Sequence, residues 1–143
     1  MLKILLLGAI LVSSGARGTE VQVKCPARYP ADVVQLKDVP KGWDGQGRVS
    51  GKVLLSGASY VEGPITEQAY AEIIGGEDIK TKDGYESHYN LNGQVKEKWI
   101  LCVYGRDGNI ELFHRVPADV KHCVIKTKHQ KFPKDLIVTA TCK

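Results

Sequence analysis

The sequence lacks the short motifs by which most catalytic and cofactor-binding sites are recognised. It contains no G-x-S-x-G nucleophile turn, no H-E-x-x-H zinc motif, no Walker loop and no dinucleotide-binding fingerprint. It also lacks internal repeats and linkers, so its 143 residues favour a single folded domain. The formal net charge is only +4, which gives no overall indication of a nucleic-acid partner. These absences argue against a cofactor-dependent enzyme and against a nucleic-acid-binding protein.

Long hydrophobic runs are scarce, and the one clear run, residues 4–12, lies near the N-terminus. It follows a cation and precedes small residues, with Ala16 and Gly18 at positions that signal peptidase favours. The run is too short to serve as a stable membrane anchor. We therefore predict a secretory signal peptide at residues 1–18, cleaved after Gly18 or alternatively after Ala16. The mature periplasmic domain would then be residues 19–143, with no membrane anchor.

Closely spaced cysteines are missing too, although the chain has four cysteines. Structural zinc sites usually bring their ligands in close pairs such as C-x-x-C, and no such pair occurs here. An exported chain with an even number of cysteines is typical of disulfide-bonded proteins, and an oxidising compartment leaves few free thiols for catalysis. We therefore predict two disulfides, no metal and no other cofactor. The cysteines are Cys25, Cys102, Cys123 and Cys142.

Short β-favouring runs, separated by glycine and other turn residues, predict a mainly β, single antiparallel domain. A hairpin turn is expected at residues 92–93, which read Asn-Gly. One segment differs, since residues 64–76 favour a short helix. Thr66 can cap this helix, Glu67 suits its first turn, and Gly75 can end it. The predicted fold is thus one β-rich domain with one short helix and two disulfides.

The stretch KWILCVYGRDGNIELF predicts a β-hairpin with two alternative turns. A two-residue loop would pair Cys102 with Phe113. A three-residue loop that ends in a left-handed Gly108 would pair Cys102 with Leu112. We favour the second register, because it gathers apolar side chains around Cys102 on one face and leaves other apolar side chains on the opposite face. The hairpin is therefore expected to be central and covered on both sides.

A second hairpin is predicted near the C-terminus, with its turn centred on residues 132–133. This register places Cys123 opposite Cys142, at about the separation that a disulfide needs. Cys25 would then pair with Cys102. The alternative connectivity, Cys102–Cys123 with Cys25–Cys142, stays open because four cysteines allow three pairings.

Candidate partner-binding residues come from aromatic and basic positions. Trp43 and Tyr60 lie in or near predicted turns, and both residue types are enriched at interface centres. Basic residues dominate residues 115–134, where Lys126 and Lys128 share one face of a predicted strand. Two interpretations are open: lysines that protect an edge strand from aggregation, or a patch that attracts an acidic partner.

The order of several elements resembles a known protein family. C-P and G-W near the start of the mature chain precede WILCVYG, which is followed by a hairpin, by VPADVKHCVI and by a terminal cysteine. The resulting pattern, W-x-x-C-x-Y followed by V-P-x-x-V-x-x-C, is similar to that of an uncharacterised family of small exported proteins of Gram-negative bacteria. Some of its members are associated with type VI secretion. The resemblance covers nearly the whole mature chain, and it supplies no catalytic residues.

The resemblance implies a periplasmic immunity protein that neutralises an envelope-targeting effector. The export signal and the absence of catalytic motifs fit a non-enzymatic binding protein that occludes the active site of a cognate toxin. An envelope module that binds a glycan or an anionic polymer is the alternative. A hydrolase is a third hypothesis, and its paired acids would come from one acidic cluster. That cluster, which also fits a solvated acidic face, comprises Glu67, Glu72, Glu77 and Asp78.

Overall fold

The computed structural model describes residues 19–36, 39–49, 51–66, 70–91, 93–131 and 135–143. In these segments the chain forms β-strands and no helix, and none of them provides an apolar helix of membrane-spanning length. The predicted signal peptide, the predicted turn at residues 132–133 and Asn92 lie outside the described residues. The strands are β1 (Val21–Lys24), β2 (Val33–Gln35), β3 (Gln46–Arg48), β4 (Leu55–Glu62), β5 (Glu72–Ile73), β6 (Glu77–Thr81), β7 (Gly84–Asn90), β8 (Lys98–Tyr104), β9 (Ile110–Val116), β10 (His122–His129) and β11 (Leu136–Cys142).

Two antiparallel sheets face each other and enclose the main core. The first sheet has the strand order β1-β11-β10-β7-β6, and the second has the order β5-β4-β8-β9. Strands β10 and β11 contact β4 of the second sheet, and buried side chains from both sheets form one apolar cluster. The prediction of a mainly β, antiparallel fold is confirmed.

Strand β10 shows how the sequence fixes a strand with one buried face. Cys123, Ile125 and Thr127 are buried, whereas Lys126 and Lys128 are exposed. Successive side chains of a strand point to opposite faces, so this alternation turns the apolar set toward the core. Burial of one aliphatic side chain such as Ile125 contributes about 1.5–3 kcal/mol. A shift of one residue would bury both lysines instead, which makes the register specific.

The predicted register of the hairpin formed by β8 and β9 is confirmed. Cys102 lies opposite Leu112, and Gly108 has a φ of 66°, which is the left-handed conformation that the three-residue loop requires. Strand β8 is an inner strand, and Leu101 on its outward face is buried in a second, smaller apolar cluster. Strand β9 is an edge strand, so the expectation of a central hairpin is correct only for β8.

Both predicted disulfides are present, and all four cysteines of the chain are paired. Cys25 follows β1 of the first sheet and bonds to Cys102 in β8, so this disulfide joins the two sheets. Cys123 and Cys142 lie directly opposite each other on β10 and β11. The first bridge braces the sandwich across its core, and the second holds two neighbouring strands.

The predicted short helix is wrong over residues 70–75. This part of the chain contains β5, in which Ile73 lies opposite Val61 of β4. The N–H of Ile74 donates to the carbonyl of Tyr60 at 3.1 Å. A helix of about two turns is marginal in water, so pairing with a sheet edge and packing of Ala71 against that sheet prevail. Residues 67–69, which include the expected first-turn Glu67, lie outside the described residues.

A fully buried lysine, Lys98, anchors the loop that crosses from β9 to β10. Its Nζ donates hydrogen bonds to the carbonyl oxygens of Ala118 and Val120, both at 2.7 Å. Buried ammonium groups are costly unless such acceptors surround them. The lysine therefore fixes the loop to the start of β8.

The two ends of the sandwich differ in their connections. One end, which we call the turn end, holds the β6–β7, β8–β9 and β10–β11 connections and the start of β4. Leu55 of β4 and Leu136 of β11 line the same cavity there, so the two sheets lie next to each other at this end. The opposite end holds the start of β1, β6, β8 and β10 and the loop from β9 to β10. Strands β2 and β3 pair with each other in a separate sheet. Together with the described residues between them, 36 and 39–45, these strands form a unit that we call the arm.

Candidate functional site

The arm presents an exposed tryptophan on a defined turn. Trp43 is 71% exposed, and its N–H donates to the carbonyl oxygen of Pro40 at 3.0 Å. Gly42 in this turn has a φ of 84°, which L-residues with side chains rarely adopt. The turn therefore holds the backbone of Trp43 in one place while its indole faces solvent.

Other apolar side chains of the arm are also exposed. Val33 and Leu36 are 36% and 49% exposed. The N–H of Leu36 donates to the carbonyl of Gly45 at 3.3 Å, and a Cβ at Gly45 would lie 2.5 Å from Cγ1 of Val39. The two sides of the arm thus approach each other closely and leave apolar side chains outside, which is typical of a surface that binds another molecule.

Tyr60, a predicted partner-binding residue, is fully buried in the core. Its hydroxyl donates to Oε1 of Glu62 at 2.7 Å, and its ring centroid lies 5.6 Å from that of Tyr89. Burial, and to a lesser degree Glu62, raises the pKa of the Tyr60 hydroxyl. A fully buried side chain offers no surface to a partner, so the described structure does not support a direct partner contact through Tyr60. Its position near a predicted turn concealed that it lies within β4, on the face toward the core.

Lys126 and Lys128 do not protect a sheet edge, because β10 lies between β11 and β7. Both lysines are exposed. Nζ of Lys126 lies 3.0 Å from Oε1 of Glu86 on the neighbouring strand, and this hydrogen bond lowers the pKa of the Glu86 carboxyl. Trp43 belongs to the arm, a separate two-stranded sheet, so the structure brings the two lysines together but does not group them with the tryptophan.

A groove crosses the turn end of the sandwich, and sequence reasoning did not predict it. It consists of four adjoining cavities of about 460, 430, 430 and 350 Å³. Residues 129–131 line both the first and the second cavity, Leu55 and Ser56 line both the first and the third, and Val53 and Gly105 line both the third and the fourth. The fourth cavity is bordered by the arm. We call the region formed by these four neighbouring cavities the turn-end groove.

The acidic cluster expected for a hydrolase is divided between the two sheets. Glu72 lies in β5 of the second sheet, whereas Glu77 and Asp78 lie in β6 of the first. Asp78 accepts a hydrogen bond from the hydroxyl of Ser87, and Glu67 lies outside the described residues. Within the described segments, no group of three or more histidine, cysteine, aspartate or glutamate residues is placed to hold a metal ion. The described geometry therefore offers no support for the hydrolase hypothesis.

The predicted basic stretch at residues 115–134 is dispersed over the molecule. The guanidinium carbon of Arg115 lies 5.3 Å from the centroid of the Trp99 ring, on the second sheet. Lys121 precedes β10 at the opposite end, and Lys131 lines the turn-end groove. A run of like charges in sequence is thus not a single patch in space.

The fold defines a small β-sandwich braced by two disulfides, a construction typical of extracytoplasmic proteins. A protein-family model described as Type VI secretion system Tli immunity protein matches residues 50–143, more than half of the chain. The chain therefore belongs to the Tli immunity protein family of the type VI secretion system. The predicted association with type VI secretion immunity is confirmed. No curated protein and no solved structure matches the chain.

The residues that carried the predicted family resemblance have structural roles. Nε1 of Trp99 donates to the carbonyl of Gly63 at 2.9 Å, which holds the segment that leads to β5. Cys102 and Cys123 form disulfides, and Tyr104 is buried in the core. The sequence pattern thus describes the scaffold. The arm lies before the matched residues and is not part of the family match.

Proposed function

We propose that this chain is a periplasmic immunity protein that binds one cognate type VI effector and blocks its active site. The observation that carries this proposal is the family match over residues 50–143. Residues 1–18 act as a cleaved signal peptide, and residues 19–143 form the exported domain. The protein acts by binding alone, without catalysis, metal or other cofactor.

The architecture supports inhibition by occlusion. The two disulfides and the shared core hold the sheets in one arrangement. A rigid binding surface loses little conformational entropy on association, which favours tight binding. The arm projects an exposed tryptophan from this scaffold, and tryptophan is among the residues that most often dominate interface energies. Trp43 is therefore the proposed anchor of the complex, together with the neighbouring apolar side chains of the arm.

The proposal is tested in a calorimeter by titrating the purified domain, residues 19–143, with the type VI effector that co-purifies with the exported chain. We expect saturable binding with a defined stoichiometry. Replacement Trp43→Ala is expected to weaken binding by about 2 kcal/mol, or roughly 30-fold, because the anchor loses its contact area.

Ile79→Ala is the matched control, since Ile79 is 46% exposed but lies on β6, outside the arm. This control is expected to bind like the unaltered protein. Absence of heat and of complex formation with the unaltered protein would contradict the proposed function. Equal affinities of the Trp43 variant and the control for the effector would contradict the proposed role of the arm but not the proposed function.

A further inference from the structure

The turn-end groove is lined by an excess of positive charge. Among the described residues that line it, six carry lysine or arginine side chains and two carry carboxylates. One of the carboxylates, Asp135, lies 3.7 Å from a guanidinium nitrogen of Arg28, so a further cation outside the lining partly offsets its charge. The cations are Arg48, Lys52, Lys80, Lys82, Arg106 and Lys131, and the carboxylates are Asp83 and Asp135.

The cations of the groove come from separate parts of the sequence. Lys80 lies near the end of β6, Lys82 lies in the β6–β7 connection, and Lys131 follows β10. Arg106 lies in the β8–β9 turn. All six cationic residues are exposed. Their ammonium and guanidinium groups are thus available to a molecule that approaches the turn end.

The opposite end of the sandwich does not share this excess of positive charge. In the described part of that end, six acidic side chains accompany four exposed cationic ones. The fully buried Lys98 adds a cation that does not reach the surface. The acidic residues are Glu20, Glu62, Glu72, Glu77, Glu97 and Asp119, and the exposed cationic residues are Lys96, Arg115, Lys121 and Lys143. Although the net charge of the whole chain is small, its positive charge is concentrated at the turn end, and such a distribution orients a charged partner during approach.

The groove also has an apolar part. The buried Leu55 and the partly buried Leu136 line one of its cavities, and Val53 lines the two cavities nearest the arm. Apolar side chains surrounded by polar and charged ones are the usual composition of a protein interface, in which the centre loses water and the rim stays hydrated. A simple binding site for an anionic polymer needs the charges but not this apolar centre.

We infer that the turn-end groove docks an acidic surface of the cognate effector, with the arm closing one side of the contact. The inference rests on the proposed function and adds which surface binds and which charge the partner presents. The positive end guides the effector into the groove, and apolar contacts in the groove and on the arm then hold it. The opposite end, which has no excess of positive charge, faces away from the effector.

The test compares charge reversals at the two ends. The variant Lys82→Glu/Lys131→Glu alters the groove, and Lys96→Glu/Lys121→Glu alters the opposite end with the same change in net charge. Both pairs are exposed, so neither substitution removes a core contact. Association rates with the purified effector are measured by stopped-flow fluorescence at low and at high salt, and far-ultraviolet circular dichroism verifies that both variants are folded.

We expect the groove variant to associate roughly 10-fold or more slowly at low salt and to lose most of the salt dependence of the unaltered protein. The variant of the opposite end should associate within about twofold of the unaltered protein, because charges far from the contact are screened.

Each outcome separates the inference from the function. If the unaltered protein does not bind the effector, the proposed function fails. If it binds and the two variants associate at the same rate, the function stands but the docking surface is wrong. Vesicles of phosphatidylglycerol provide a further probe. Groove-dependent vesicle binding combined with unchanged association with the effector would assign the groove to an anionic lipid or polymer and would overturn the inference.

Discussion

A variant in which Cys25 and Cys102 are both replaced by alanine is expected to lose about 4.5 kcal/mol of unfolding free energy. The bridge joins residues 77 positions apart, and a long closed loop restricts the unfolded chain strongly. The bridge also connects the two sheets, so its loss frees the sandwich to open across the core. Loss of this size takes away a large share of the stability of a small domain.

The second disulfide provides the matched comparison. Cys123 and Cys142 are 19 positions apart, so their replacement by alanine is expected to cost only about 3 kcal/mol. Urea unfolding of both variants, followed by tryptophan fluorescence, measures the difference. Equal losses, or a larger loss for the shorter loop, would show that the inter-sheet bridge does not brace the fold as described.

Replacement Lys98→Met is expected to lower the unfolding free energy by about 3 kcal/mol, since one buried and one partly buried carbonyl oxygen each lose a donor at roughly 1–3 kcal/mol. Methionine occupies a similar length, so the packing around the side chain is largely kept. Nζ of Lys98 donates hydrogen bonds to the carbonyl oxygens of Ala118 and Val120, each at 2.7 Å. Removing the ammonium therefore leaves the loop from β9 to β10 without this attachment.

Lys121→Met is the control for this prediction, because Lys121 lies in the same loop but is exposed. Its effect should remain within about 0.5 kcal/mol. Urea unfolding gives the free energies, and amide hydrogen exchange reports whether residues 117–121 open more readily in the Lys98 variant. A neutral or stabilised Lys98→Met protein would mean that releasing a desolvated charge outweighs the lost hydrogen bonds.

Local rules were sufficient for the registers of the β8–β9 and β10–β11 hairpins and for the disulfides. The hairpin expected at residues 92–93 is wrong, because β7 and β8 lie in different sheets and do not pair. Gly108 can adopt a positive φ, and the resulting turn fixes Cys102 opposite Leu112. The alternation of β10 and β11 likewise fixes Cys123 opposite Cys142. With this pair formed, only Cys25 and Cys102 remained to pair. The alternation of side chains along the strands and the residues of the turns were therefore enough to predict these pairings around the core.

Features that depend on neighbours distant in sequence were predicted poorly. The sequence of residues 64–76 has the caps of a short helix, but Glu72 and Ile73 pair with the available edge of β4 instead. Lys126 and Lys128 are two positions apart on one face, as lysines on an edge strand often are. Their strand, β10, nevertheless lies between β7 and β11. Nothing in the local pattern reveals such partners, because it does not specify which strands become neighbours.

The turn-end groove could not be found from sequence for the same reason. Its cations are supplied by several separate connections, and the one basic run in the sequence is spread over both ends of the molecule. Trp43 lies in a turn and is exposed, as expected of a residue chosen for its turn and its type, but its placement outside the two large sheets could not be predicted. The strand order decides which loops become neighbours, so a site built from several loops is visible only in the folded structure.

Protection of living cells from the effector tests the central claim most directly. The cognate effector, identified by co-purification with the exported chain, is directed to the periplasm of a sensitive bacterium, and survival is counted with the full chain or with residues 19–143 alone. The account predicts that the full chain restores growth and that the version without residues 1–18 does not, because only the exported protein meets the effector. Killing that continues despite the folded, exported protein would contradict the account.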